Sequence, residues 1–144
     1  FRNLTGRENL KMATFAGTSE EQVIERAVAR FPRLGERLDQ MAGTMSGGEQ
    51  QMLAMARGLA TDPALLIIDE LSMGLAPLIV AELYEIVAGI AHEGVSILVV
   101  EQFARTVLGV ADQALIMQHG YVIASGPPAE IEAELSAAYL GANP

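Results

Sequence analysis

Apolar residues in the first third of the chain recur at helical spacing among charged ones; after residue 60 they gather into short unbroken runs. A first helix is predicted over Thr5 to Thr14, where Thr5 can cap the first turn and Glu8, three residues on, can return the hydrogen bond. A second is predicted over Ser19 to Arg30, with Val23, Ala27 and Arg30 along one side and Phe31-Pro32 ending it. Leu34 to Leu38 adds one short helical turn. This acidic and basic mixture with modest apolar content predicts a small helical subdomain rather than a core. Ser46 to Ala60 then reads as a longer helix whose apolar side is Met52, Leu53, Met55, Ala56 and Leu59, broken by Thr61-Asp62-Pro63.

Beyond that break the pattern becomes an alternation of strand and helix. Ala64 to Ile68 is continuously apolar and ends in Asp69-Glu70, which predicts a parallel strand covered on both faces, its carboxyl edge carrying acidic groups into a cleft. Leu71 to Pro77 is a loop, and Leu78 to Ala91 a helix with Ile79, Leu83, Ile86, Val87 and Ile90 at helical spacing, closed by His92-Glu93-Gly94. Val95 to Val100 predicts a second buried strand, followed by Glu101-Gln102. A helix near Phe103 to Val110, a hairpin of Gln113 to Gln118 and Tyr121 to Ser125 around His119-Gly120, and a last helix over Pro128 to Leu135 complete an α/β pattern.

Composition narrows what such a chain can do. With 51% hydrophobic and 19% charged residues in 144, it can bury a core and is not disordered. Nine basic against 18 acidic residues give a net charge of −9, which excludes bulk attraction to nucleic acid or anionic lipid, so any phosphate must be bound locally. The absence of cysteine removes disulfides, thiolate nucleophiles and Cys-type zinc sites, and two histidines, His92 and His119, make an imidazole-rich metal site a poor expectation. The apolar runs fall far short of the roughly 18 residues a membrane-spanning helix requires. Lys11 is the sole lysine and follows Leu10, not a glycine loop, so the sequence contains no Walker A phosphate loop. The chain opens on Phe1-Arg2-Asn3-Leu4-Thr5, which predicts a piece of a longer protein that continues upstream.

Two local features carry candidate chemistry. Met45-Ser46-Gly47-Gly48-Glu49-Gln50-Gln51 opens a helix, and Ser46 with Glu49 can form an ordinary capping box. The box leaves the two glycines unexplained, since each costs about 1 kcal/mol in a helix relative to alanine. Their alternative use is to clear side chains from the helix N-terminus so that a phosphate can approach its amides. Asp69-Glu70 ends an apolar strand, where carboxylates can simply turn to solvent, or can hold Mg²⁺ through water and accept a proton from an attacking water. Plainer expectations apply elsewhere: His92 as a helix C-terminal residue, His119 in a turn, Met52, Met55 and Met73 as packing, and Arg57 tying its helix to a carboxylate or carbonyl.

Taken in order along the chain, these features resemble the ABC-type ATPases. Met45 to Gln51 resembles their signature motif, Leu-Ser-Gly-Gly-Gln; Leu65 to Glu70 looks like their Walker B strand with its catalytic glutamate; Ser72 to Pro77 sits where their D-loop sits; and Val100-Glu101-Gln102 where their switch loop sits. Finer features are similar to the ATPase subunits of branched-chain amino-acid importers: Ser46 to Gln51 as Ser-Gly-Gly-Glu-Gln-Gln, Gly74 to Pro77 as Gly-Leu-Ala-Pro, Val100 to Gln102 as Val-Glu-Gln, and Gly126-Pro127. The chain departs from the wider pattern where Leu71 replaces a proline, Ala76 an aspartate and Gln102 a histidine.

The resemblance implies a partial P-loop NTPase fold: about residues 1–60 as helical subdomain and signature helix, and about 61–144 as Walker B, D-loop, switch loop and C-terminal elements. It implies ATP and Mg²⁺ as cofactors, with Asp69 holding the metal through water, Glu70 and Gln102 catalytic, and Ser46, Gly47, Gly48 and Glu49 acting on ATP across a head-to-tail dimer. The implied partners are a second ATPase subunit and membrane permease subunits, at the cytoplasmic face of the membrane, with no nucleic acid. Another cargo, such as urea or an exported lipid, and a non-enzymatic interaction role for the chain by itself are the competing readings.

Overall fold

Three helices begin at a hydroxyl oxygen that the sequence places just ahead of an apolar stripe. In the computed structural model, which describes residues 1–139, Thr5, Ser19 and Ser46 each cap a first turn, with Glu8, Gln22 and Glu49 respectively returning the hydrogen bond to the cap amide. The helices so started are α1 (Gly6–Lys11), α2 (Glu20–Arg30) and α4 (Gly47–Leu59). α1 is shorter than the sequence suggests and continues as a 3-10 helix over Met12–Ala16. The Thr14 hydroxyl donates to the Lys11 carbonyl and competes with the α-helical ladder there. α3 (Pro32–Gly35) starts two residues earlier than expected, because Pro32 has its backbone set for a first helical position.

The chain divides into two compact units, Phe1–Val100 and a second from Glu101 onward. In the first, α4 is the central helix: α1, α2 and α3 pack against it, as does α5 (Pro77–His92). Its expected apolar side, Met52, Leu53, Met55, Ala56 and Leu59, is buried throughout. The expectation that the early helices form no core is corrected. Leu10, Val23, Phe31 and Leu34 are almost wholly buried, because the short apolar faces of α1, α2 and α3 converge on α4. On α5 the buried side is Val80, Leu83, Tyr84, Val87 and Ile90, with Ile79 and Ile86 at its margins.

Strands β1 (Leu65–Asp69) and β2 (Ser96–Val100) pair in parallel, Leu65 opposite Ser96 through Asp69 opposite Val100. The prediction of a strand covered on both faces is half wrong. Leu66 and Ile68 are buried, and Leu66 lies against Gly58 of α4. Leu65, Ile67, Leu98 and Val100 share the opposite face and are 45 to 62% exposed, because the helices packed on this pair lie on one side of it.

The second unit holds α6 (Ala104–Leu108), the antiparallel hairpin β3 (Ala114–Gln118) and β4 (Tyr121–Gly126), and α7 (Pro128–Tyr139), which packs on the hairpin and on α6. His119 and Gly120 both take positive φ, 49° and 83°, as a two-residue hairpin turn requires. Ile131 of α7 and Leu108 of α6 are buried within this unit. Among the described residues, no helix is long and apolar enough to cross a membrane.

The open face of the strand pair generates a test. Ile67→Lys should reduce self-association of the isolated chain in light scattering and leave its thermal midpoint within about 2 °C, because an exposed side chain contributes little to the folded state. A collapse of the midpoint would show that this face is covered.

Candidate functional site

The start of α4 is built from a short network. The Ser46 amide donates to Glu49 Oε2 at 2.8 Å, and the Glu49 amide donates to Ser46 Oγ at 3.3 Å. The second Glu49 carboxylate oxygen accepts from Arg37 Nε at 3.2 Å. Gln50 reaches back, its side-chain amide donating to the Met45 carbonyl at 2.9 Å, while Met45 itself is buried. The hydrogen bond from the Ser46 amide holds the Glu49 carboxyl below its ordinary pKa; partial burial works against this, and the Ser46 hydroxyl and Arg37 add smaller contributions in the same direction. Glu49 is therefore an anion placed at the positive end of a helix, where it is stabilised by the dipole as well.

The two glycines of this turn have a packing role. A Cβ at Gly47 would stand 2.7 Å from Leu75 Cδ2, and one at Gly48 would stand 2.6 Å from Ile79 Cγ2. Their bare backbone thus lets α4 approach both the loop that follows β1 and the first turn of α5. Close packing and clearance for a phosphate are compatible uses of the same two residues, since the box engages the amides of Ser46 and Glu49 and not those of Gly47 and Gly48.

That loop begins at the acidic edge. Asp69 ends β1 and Glu70 follows it; both are exposed. The Glu70 amide donates to the Val100 carbonyl at 2.9 Å, which extends the β1–β2 ladder by one residue. At this point the backbone turns left-handed, with φ of 51° at Glu70, a conformation that costs a non-glycine residue about 1 kcal/mol or more. The turn closes through the Met73 amide to the Glu70 carbonyl and the Leu75 amide to that of Ser72, while the fully buried Leu71 anchors it. The first unit therefore holds the capped start of α4 and the carboxylate edge of β1 on one frame, joined through Leu75 and Ile79. Gln102 is exposed and belongs to the second unit.

Among the described residues no three or more His, Asp or Glu side chains gather into a metal-binding group. A lone strand-end pair, Asp69 and Glu70, suits Mg²⁺, which keeps several waters and takes only one or two carboxylates beside substrate phosphates. His92 ends α5 and His119 sits in the hairpin turn, as expected. Two expectations are corrected. Arg57 places its guanidinium 4.5 Å over the Phe1 ring, a cation–π contact in place of the anticipated carboxylate or carbonyl. Met52 and Met55 are packed, but Met73 is 66% exposed because the loop turns it outward. Sequence reasoning missed the parts played by Arg37, Leu75 and Ile79. The spacing of Arg26, Arg30, Arg33 and Arg37 was the available signal for the first; none existed for the other two, whose contacts with Gly47 and Gly48 are distant in sequence.

Residues 1–72 match the family model described as ABC transporter. The chain is 41% identical to the high-affinity branched-chain amino acid transport ATP-binding protein BraG of Pseudomonas aeruginosa, over 98% of this chain and 62% of the relative. It is 35% identical to the probable branched-chain amino acid transport ATP-binding protein LivF of Archaeoglobus fulgidus, over 91% of this chain and 57% of the relative. The crystal structure of the ADP conformation of an ATP-binding cassette of an ABC transporter superposes with a TM-score of 0.81 at 26% identity, covering 94% of this chain and 60% of the other. The chain thus spans about three-fifths of the length of these relatives.

Two tests follow. Gly48→Ala should lower stability by about 1–3 kcal/mol, because Ile79 Cγ2 is fixed close to its own backbone. Gly47→Ala, which meets only the swinging end of Leu75, should stay within about 1 kcal/mol of the parent in thermal unfolding. Glu49 supplies a pH test. Its folded-state pKa is lowered, so its contribution is complete above the ordinary glutamate range and disappears as the pH falls through the lowered value. The difference in thermal midpoint between parent and Glu49→Gln should therefore shrink on acidification through that window, and a constant difference would contradict the assignment.

Proposed function

The chain belongs to the ABC transporter family and has part of the α/β, P-loop NTPase fold of its ATP-binding cassettes, and from that premise we propose that it is the C-terminal part of an ATPase subunit powering import of branched-chain amino acids. The observation that carries this reading is the joining, within one compact unit, of a capped glycine helix start to a strand-end carboxylate pair. Its cargo follows that of the branched-chain amino acid transport relatives. On this reading residues 1–60 form the helical subdomain and signature helix, and 61–144 the Walker B, D-loop, switch-loop and C-terminal elements. A phosphate loop with its lysine would come from the longer protein, since Lys11 lies in no glycine loop.

The roles follow from residue chemistry. Asp69 would hold Mg²⁺ through water, and the bound ion would neutralise charge on the β and γ phosphates. Glu70, an exposed carboxylate on a strained turn, accepts a proton from the attacking water. Gln102 donates an amide hydrogen to the γ-phosphate; unlike histidine it cannot take up a proton near neutral pH. Ser46, Gly47 and Gly48 present the start of α4 to the ATP of a second subunit, and Glu49 keeps that start in shape. Permease subunits would bring the pair to the cytoplasmic face of the membrane.

In the longer protein, Glu70→Gln should lower steady-state hydrolysis by about 100-fold or more while the ATP-bound dimer accumulates in light scattering, because the amide keeps the shape and loses the base. Ser46→Arg should remove both hydrolysis and dimer, since its cation opposes the helix dipole and fills the phosphate space. Near-parental turnover in Glu70→Gln would return that residue to an ordinary strand-end carboxylate.

A further inference from the structure

Four arginines of α2, α3 and the turn just beyond each pair with a carboxylate elsewhere in the first unit. Arg26 meets Asp62 after α4, Arg30 meets Glu93 at the end of α5, Arg33 meets Glu82 within α5, and Arg37 meets Glu49. The first three carboxylates belong to none of the candidate chemistry. Glu49 differs, because it stands in the first turn of α4, with its side chain only 16% exposed and hence weakly screened.

Its position raises a physical conflict. A helix start that is to receive phosphate should present positive potential, yet this one already carries a carboxylate bound to its own cap. An uncompensated anion beside the site repels a second one, and a cation held nearby offsets that repulsion. Arg37 is that cation, and its backbone is fixed from outside α4. The Arg37 amide donates to the Leu34 carbonyl and the Arg37 carbonyl accepts from Gln40, while the amides of Gly6 and Arg7 in α1 donate to the carbonyls of Gln40 and Leu38. α1 thus sets the turn, the turn sets Arg37, and Arg37 reaches the free oxygen of Glu49.

We propose that Arg37 is a positioning residue for the phosphate-facing start of α4: by pairing with Glu49 it cancels the carboxylate's charge and lets a nucleotide's terminal phosphates approach Gly47 and Gly48. The inference rests on the functional reading above and assigns Arg37 no contact with nucleotide. It makes the need for Arg37 conditional on the charge at position 49. An arginine that only braced the fold would be needed whatever that charge.

The test uses the full-length protein carrying Arg37→Gln, Arg37→Lys or the control Arg26→Gln, each with Glu49 and again with Glu49→Gln. Two readouts are followed: kcat and KM for ATP, and the concentration of a non-hydrolysable ATP analogue that half-saturates dimer formation in light scattering. With Glu49 present, Arg37→Gln should raise both KM and the half-saturating concentration about fivefold, with kcat at saturation within about twofold. Arg37→Lys should recover most of the loss, and Arg26→Gln should match its parent. With Glu49→Gln, the same Arg37→Gln step should change either readout by less than about twofold. Equal losses in both backgrounds, or no loss in either, would overturn the proposal while leaving the functional reading intact. A parent protein that neither hydrolyses ATP nor dimerises with the analogue would overturn the functional reading, and this inference with it.

Discussion

Burial of the apolar side of α4 is the interaction on which the rest of the first unit depends. Met52, Leu53, Met55, Ala56 and Leu59 are each almost wholly removed from solvent, and a large apolar side chain so buried contributes about 1.5–3 kcal/mol. Three short helices on one side, none long enough to be stable in isolation, share this helix as their common surface. α5 and the buried residues of β1 meet it elsewhere, at Ile79 and at Leu66. The first turn of α4 is therefore located chiefly by hydrophobic packing.

Polar groups then decide what that located turn presents. The four arginine pairs link α2, α3 and the turn beyond them to carboxylates on other elements, and the exposed ones, Arg26–Asp62, Arg30–Glu93 and Arg33–Glu82, each contribute about 1 kcal/mol or less. Their value lies in orientation and local charge. The glycines act on another term, distance: two absent methyl groups bring α4 close to Leu75 and Ile79.

What was legible in the sequence was mostly local. A hydroxyl followed three residues later by Glu or Gln announces a cap, so Thr5 and Ser46 were found with their partners, while the Ser19–Gln22 box carried the same signal and was missed. The His119-Gly120 turn and the buried side of α4 were legible for the same reason, because period and turn chemistry act over a few residues. The apolar run of β1 carried less information than it promised: a row without alternation shows that a strand tolerates burial, and says nothing about which side is covered. Leu65 and Ile67 are the result. Arg57 failed similarly, since its partner is an aromatic face more than fifty residues away and not a nearby charge. Position 47 shows the limit best, because a pair of glycines is equally consistent with an approaching ligand and an approaching leucine.

The left-handed backbone at Glu70 sets folding and chemistry against each other at one position. Asparagine and glycine suit that conformation better than glutamate does, so a lineage selected for thermal endurance alone would drift toward them there. Such replacements would yield sturdier molecules that keep Asp69 and lose the second carboxylate at the strand edge. On the role proposed for Glu70, keeping glutamate on this turn takes continuous selection for what its side chain does, and residue 70 would then be a marker by which working copies of such a chain can be told from decaying ones.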